Sequence, residues 1–204
     1  MIVSSRVMFK KTKQAAKAEQ ILQGAMQEFL RDGYAATSMA RIAATAGVSK
    51  ETLYTYFESK EKLFAAIVQY TAEQHLQQVF ASEPLPPDPV EQLRSLAAKS
   101  MTPENLDPMR MNFYRLIVGE SGRFPELAQF YVEHFEKPGL EVSANLLQAA
   151  PQLRSSDPQA VAWIVSGTLS HYYQMMEMLQ GRDILDMTFD RLVEALIELL
   201  FGDR

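Results

Sequence analysis

The stretch TSMARIAATAGVSKETLYTYFESKEKLF, from Thr37 to Phe64, leaves little freedom in how it can fold. Thr37 or Ser38 can accept hydrogen bonds from free backbone N–H groups, so either suits a helix start. Met39, Ile42, Ala43 and Ala46 follow at i, i+3, i+4 and i+7, the spacing of one buried helical face. Gly47 supplies the backbone conformation that ends a helix where a Cβ would be penalised. Ser49 is the next N-cap, Leu53 and Phe57 form the inward stripe of a second helix, and Ser59 caps a third. Ala40, Ala43, Ala44, Ala46 and Gly47 are small enough for two helices to meet closely across a tight turn, as a helix-turn-helix requires.

The outward face of the second helix carries no aliphatic residue. At about 100° per residue, Glu51 and Thr55 lie nearly opposite Leu53, with Thr52 and Tyr54 on the flanks. Such a face of donors, acceptors and flat rings suits the major groove of B-DNA, which admits one helix with its N-terminal residues nearest the base edges. Lys50, Glu51, Thr52 and Thr55 are the expected base-facing residues, and Ser38, Tyr54, Tyr56 and Lys60 the expected phosphate contacts. Thr37, Arg41 and Ser49 complete the candidate DNA-binding set. The spacing equally fits two short alanine-rich helices in any globular core, with polar residues facing water.

The segment GVSKETLYTYFESKEKLF resembles the signature of the TetR family of transcriptional regulators, which usually reads close to GVSKGTLYYYFPSKEALF. The resemblance covers residues 12–64, with the Ala-Gly-Val-Ser turn, the Leu-Tyr-x-Tyr-Phe run and the Ser-Lys-Glu after it in the family's order. Glu51 stands where the family has a small residue, and Thr55 where it often has Tyr. Both lie on the outward face, so they bear on which DNA sequence is read. The resemblance implies a homodimer on a pseudo-palindromic operator, most often as a repressor.

The chain has 204 residues, enough for one domain or two small ones with a sizeable core. It has no Cys, which removes disulfides, thiol catalysis and Cys-based metal sites together. No apolar run approaches the ~20 residues of a membrane span. MIVSSRVMFKK places basic residues after a short apolar start, the reverse of a signal peptide, so a cytoplasmic location is expected. Residues 1–9 are expected to form a flexible arm, with Met8 an alternative start. The formal net charge of −5 is unevenly spread: up to Lys60 there are nine Lys/Arg against five Asp/Glu, and beyond it eleven against twenty. That asymmetry suits a small phosphate-facing domain joined to a larger one.

Lys10, Lys11, Lys13 and Lys17 precede or open the first helix, with Thr12 a possible cap. Ala18, Ile21, Leu22, Ala25, Met26 and Phe29 give that helix an amphipathic stripe, and Gly33 ends it. These features set a helix-turn-helix domain at 10–60, with its motif at 38–57. A long helix from Ser59 to about Phe80 spans about 33 Å. Pro84-Leu85-Pro86-Pro87-Asp88-Pro89 is a stiff loop. Helices are expected at 90–101 and 105–118, the latter ended by Gly119 and Gly122. Another starts at Phe124-Pro125, kinks at Pro138-Gly139 and resumes to Ala150.

Asp157-Pro158 opens a further helix, an N-cap followed by proline at the first helical position. It carries Val161, Ile164, Val165, Thr168, Tyr172, Met175, Met176 and Leu179 on one stripe, and Trp163, Gly167, Leu169, Tyr173 and Met178 elsewhere. The last helix begins at Thr188, with Phe189, Leu192, Val193, Leu196, Ile197 and Leu200 at helical spacing. Helices 158–180 and 188–201 can form a four-helix interface with a two-fold mate, or be used wholly inside one subunit. The fold class is therefore all-α, about nine helices, and the family resemblance implies that residues 61–204 are an effector-binding and dimerisation domain.

No catalytic motif is present, and His75, His134 and His171 have no metal-ligand spacing, so neither an enzyme nor a cofactor or metal is expected. RLIVGESGRFPELAQFYVEHF is similar to the ligand domain of the AcrR/AefR-like branch of the same family. That likeness implies an effector pocket between 105 and 180, for a small, largely apolar molecule. Phe113, Trp163 and Tyr172 are candidate walls, and Arg115, His134 and His171 candidate polar anchors. The same aromatic and methionine residues can equally be core. An adaptor or architectural dimer that binds DNA without an effector, and another protein through its C-terminal half, is the competing reading.

Overall fold

The computed structural model describes residues 13–81, 85–102 and 107–202. The expected arm at 1–9, the alternative start at Met8, Lys10, Lys11 and the Thr12 cap lie outside the described residues, as does Pro84. Among the described residues the fold is all-α, with no strand.

Helix α1, Lys13–Ala36, buries Ile21, Leu22, Ala25, Met26 and Phe29, the stripe its spacing predicts. It is broken at Gly33, whose φ of 80° and ψ of 164° are non-helical, and one more turn follows. Helix α2, Met39–Thr45, starts at Ser38, whose hydroxyl accepts from the Arg41 N–H at 3.4 Å. At Gly47 the backbone turns left-handed with φ 62°, and the Val48 N–H closes on the Ala43 carbonyl at 2.9 Å. Ser49 then caps helix α3, Lys50–Tyr56, by accepting from the Thr52 N–H at 3.1 Å. Phe57 differs from the expectation. It leaves the helix as its C-cap, in extended backbone, and is half-buried, so Leu53 alone is fully buried on α3.

Ser59 accepts from the Lys62 N–H and opens α4, Lys60–Leu76, which continues through a π-helical turn at Gln77–Ala81. Helix α5 is Pro89–Ser100, capped by the Asp88 carboxylate. Helix α6 is Pro108–Glu120, with Asp107 accepting from the Met109 N–H; the expected start at 105 lies outside the described residues, and Gly119 lies inside the helix. Helix α7, Pro125–Tyr131, passes through a π turn at Val132–Glu136 into α8, Lys137–Gln148. The irregularity expected at Pro138-Gly139 is therefore taken up one turn earlier. Proline has no N–H for the carbonyl four residues back, and a wider turn before it rearranges that bonding. Helix α9, Pro158–Tyr173, starts as predicted with Asp157 accepting from the Ala160 N–H at 3.0 Å, and ends in a third π turn, Gln174–Met178. Helix α10, Phe189–Phe201, is capped by Thr188. With α7 and α8 taken as one bent helix, the described residues form nine.

The chain divides into two compact units: residues up to Gln69 with Asn112–Phe130, and Tyr70–Met111 with Tyr131 onward. In the first, Phe29, Tyr34, Phe64, Phe113 and Phe124 form a run of ring contacts at 5.0–6.1 Å between centroids. In the second, Val90, Leu93 and Ala97 of α5 pack with Leu147 of α8, with Val161, Ala162 and Val165 of α9, and with Val193, Leu196, Ile197 and Leu200 of α10. Among the described residues no helix is long and apolar enough to cross a membrane.

Candidate nucleic-acid interface

Leu53 is fully buried while Lys50, Glu51, Tyr54 and Thr55 are exposed, Tyr54 by half. One short helix is thus pinned by a single leucine and offers a polar surface. Thr52 and Tyr56, at its edges, are half-buried. The Thr55 hydroxyl donates to the Glu51 carbonyl at 2.7 Å, and the Thr52 and Ser49 hydroxyls are 2.9 Å apart. Both threonines keep oxygen lone pairs for an incoming donor.

The remaining candidates divide by what holds them. Thr37 is buried, and its hydroxyl is shared between the carbonyls of Gly33 at 2.8 Å and Glu28 at 3.1 Å. Arg41 is paired with Glu28, Nε to Oε2 at 3.2 Å, and with Asp32. Lys60 donates to two carbonyls in the last turn of α1, those of Tyr34 and Ala35 at 2.8 and 3.3 Å, and to that of Thr37 just beyond it at 3.0 Å, and lies over the Tyr34 ring. Its ammonium closes the open end of α1, where carbonyls lack helical partners. Lys17, half-buried, donates to Gln20.

Three residues that position this surface went unnoticed in the sequence. Glu28 is fully buried, and its carboxylate accepts from Thr45 at 2.6 Å and Arg31 at 2.5 Å besides Arg41, tying α1 to α2. Gly24 lies against Ala46: a Cβ there would come within 2.8–2.9 Å of the Ala46 Cβ, Cα and N. Gln20 donates to the Ala46 carbonyl at 2.5 Å. The signal was positional: Gly24 and Glu28 sit three and seven residues after Ile21, on the buried stripe of α1. At the next junction the Tyr34 phenol donates to Glu61 at 3.2 Å. Burial first, and then the Glu61 charge, push the phenol well above its ordinary pKa. Glu61 itself is held below the usual carboxylate range, chiefly by its hydrogen bond from Ser59.

The six ligand-pocket candidates are not gathered in one unit. Phe113, buried, and Arg115, bonded to Asn112 at 2.7 Å, belong to the first. His134, Trp163, His171 and Tyr172 belong to the second. His134 is half-buried beside Glu133, His171 is exposed, and Trp163 is 69% exposed. Tyr172 lines an open cavity of about 430 Å³ with Met176, Arg182 and Phe189. Among the described residues no group of three or more His, Asp or Glu is placed to hold a metal.

Comparison with known proteins places this geometry. Residues 21–67 match the family described as bacterial regulatory proteins, tetR family, and residues 91–202 match the C-terminal domain of AefR-like transcriptional repressors. The HTH-type transcriptional regulator YhgD of Bacillus subtilis strain 168 is 47% identical over 47 residues, which span 23% of this chain and 25% of that protein. Among solved structures, the flavonoid-responsive regulator FrrA is 32% identical with a TM-score of 0.67, covering 92% of this chain and 93% of that one. A structure from Mesorhizobium loti assigned to the TetR family is 26% identical with a TM-score of 0.64, covering 94% of this chain and all of the other.

Proposed function

The chain belongs to the TetR family of bacterial regulatory proteins, and from that membership we propose that it is a homodimeric, effector-responsive transcriptional repressor. The observation that carries the reading is α3, with Leu53 buried beneath an exposed face of Lys50, Glu51, Tyr54 and Thr55. Each subunit presents that face to one of two successive major grooves, about 34–36 Å apart, in a pseudo-palindromic operator. Lys50, Glu51, Thr52 and Thr55 approach bases, and Ser38, Tyr54 and Tyr56 approach phosphates. Thr37, Arg41 and Lys60 act one step back, by fixing the end of α1 and the angle of α2.

The effector site belongs to the second unit, in keeping with the match to AefR-like C-terminal domains and with a relative described as flavonoid-responsive. Effector binding favours a conformer in which α4 is tilted and the two reading heads no longer match the operator, so DNA affinity falls. The dimer forms through residues 158–180 and 188–201, where Trp163, Ile164 and Leu199 are exposed at 69%, 55% and 72%.

The test is capture of genomic fragments by the purified chain, followed by a screen for compounds that release them. Recovery of a few fragments sharing an inverted repeat, and their release by particular small molecules, is the expected result. Failure to bind any duplex at low salt overturns the regulator reading. Specific capture that no compound reverses favours the effector-independent adaptor instead.

A further inference from the structure

Helix α9 has two distinct faces. Val161, Ala162, Val165 and Tyr172 are buried within the subunit, whereas Trp163, Ile164, Gly167, Ser170 and His171 are exposed. At about 100° per residue the five exposed positions fall on one side, within an arc of about 120°. Seven of the ten exposed large hydrophobic side chains among the described residues lie from Trp163 to Leu199, so uncovered apolar surface is concentrated on the last two helices and their connection.

Gly167 is the position on this face that the subunit does not explain. A glycine inside a helix is less stable than alanine, and it is useful where another backbone must come close. Gly24 of α1 has such a neighbour, since a Cβ there would stand 2.8 Å from that of Ala46. At Gly167 nothing lies within 4 Å of where a Cβ would stand. The backbone that needs the space is therefore one from outside the subunit.

The exposed face is also arranged about this glycine. Trp163 and His171 stand four residues before and after it, and Ile164 and Ser170 three before and after. Two antiparallel copies of α9 related by a two-fold axis at Gly167 bring each residue before it against its counterpart after it in the mate. A flat indole then meets a flat imidazole on one side of the crossing, and a bulky isoleucine meets a small serine on the other. A second copy of this chain supplies that pairing by symmetry, whereas an unrelated partner requires no such arrangement about a central point.

We propose that α9 crosses its two-fold mate antiparallel at Gly167, with Trp163 of each copy stacked on His171 of the partner subunit. The stack covers an indole that is 69% exposed in one subunit. The proposal rests on the dimer reading above and fixes where the helices cross, and its test separates the failure of one from the failure of the other.

The chain has no Cys and one Trp, so a disulfide and an emission probe can each be read without background. A disulfide joins Cα atoms within about 7 Å, whereas the two copies of Trp163 stand about 12 Å apart along α9 in this arrangement, as do Trp163 and His171 of one chain. Trp163→Cys combined with His171→Cys is expected to give a covalent dimer on mild oxidation, and each single variant to stay uncrosslinked on a non-reducing gel. Gly167→Leu, whose Cβ meets open space in the subunit, is expected to keep its helicity, halve the mass seen by light scattering and shift the Trp163 emission to longer wavelength. Covalent dimers from Trp163→Cys alone, or none from the double variant while light scattering shows dimers, overturn the crossing and leave the dimer standing. A Gly167→Leu chain that stays dimeric with unshifted emission also overturns the crossing, and this readout covers the case in which the cysteine variants fail to fold. A wild-type chain that is monomeric at micromolar concentration removes the dimer reading and the crossing with it.

Discussion

Lys60 and Glu136 are two charged residues whose neighbours decide what they do. The Lys60 ammonium, occupied by three carbonyls at and just beyond the end of α1, holds the entry to α4 and thereby the seat of α3. Lys60→Ala is expected to lower stability by about 1–3 kcal/mol in a denaturant melt, the scale of hydrogen bonds to a charged donor. The salt dependence of operator binding is expected to keep its slope. A slope flattened by about one phosphate contact, with stability intact, would return Lys60 to the DNA surface. At Glu136, burial raises the carboxyl pKa, and the Tyr131 hydrogen bond only partly opposes it. A folded-state pKa above the unfolded one makes a contribution to stability that is full below the unfolded value and is lost as pH rises through the folded value. Glu136→Gln is therefore expected to melt above the wild type at neutral pH. Its advantage is expected to fade as pH is lowered through the carboxylate range; an advantage constant from pH 4 to 8 would contradict this. Neither environment was legible in the sequence. A lysine in the first turn of a helix reads as a solvated cation until the carbonyls that surround it are known.

At the scale of elements, α2 and α3 were legible because each seven-residue helix is specified locally, by a serine cap, an apolar stripe and the left-handed Gly47. Helices this short are unstable alone, so their conformation also reports the packing of Ile42, Ala43 and Leu53 beneath them. The π turns were not legible, because bonding to the fifth residue back answers to tertiary packing and has no side-chain signature comparable to a cap. Phe57 was misplaced for a related reason: periodicity gives which side a residue faces, not whether the helix still continues. On α3, Glu51 is an exposed anion in the first turn, worth about 0.3–1 kcal/mol against the helix dipole, yet repelled by phosphate. Its place on the outward face is explained if it accepts from a cytosine amino group. Glu51→Gly is expected to retain or raise non-specific binding while changing the preferred base at one operator position. A selection from randomised operators that returns an unchanged profile removes the reading role.

At the scale of the whole molecule, the charge asymmetry suggested a small domain up to residue 60 joined to a larger one, whereas the compact units divide after Gln69, and the return of residues 112–130 to the first unit left no mark in composition or periodicity. Helix α9 makes the remaining argument. Val161, Ala162 and Val165 are buried in the second unit, so one face of the helix is used inside the subunit. Trp163 and Ile164 lie between them in sequence and are exposed, as is Leu199 amid the buried Leu196, Ile197 and Leu200 of α10. A tryptophan and two large aliphatics on surfaces the subunit does not itself cover are unfavourable to leave in water, and in the proposed dimer a second copy related by two-fold symmetry would cover all three. Trp163→Arg combined with Leu199→Glu leaves the buried residues untouched and is expected to preserve helicity while halving the mass seen by light scattering. Since both half-sites can then no longer be held at once, operator affinity is expected to fall by on the order of 10²–10⁴. A double variant that remains dimeric moves the interface elsewhere. One that becomes monomeric yet keeps its operator affinity would show that reading does not require two linked heads.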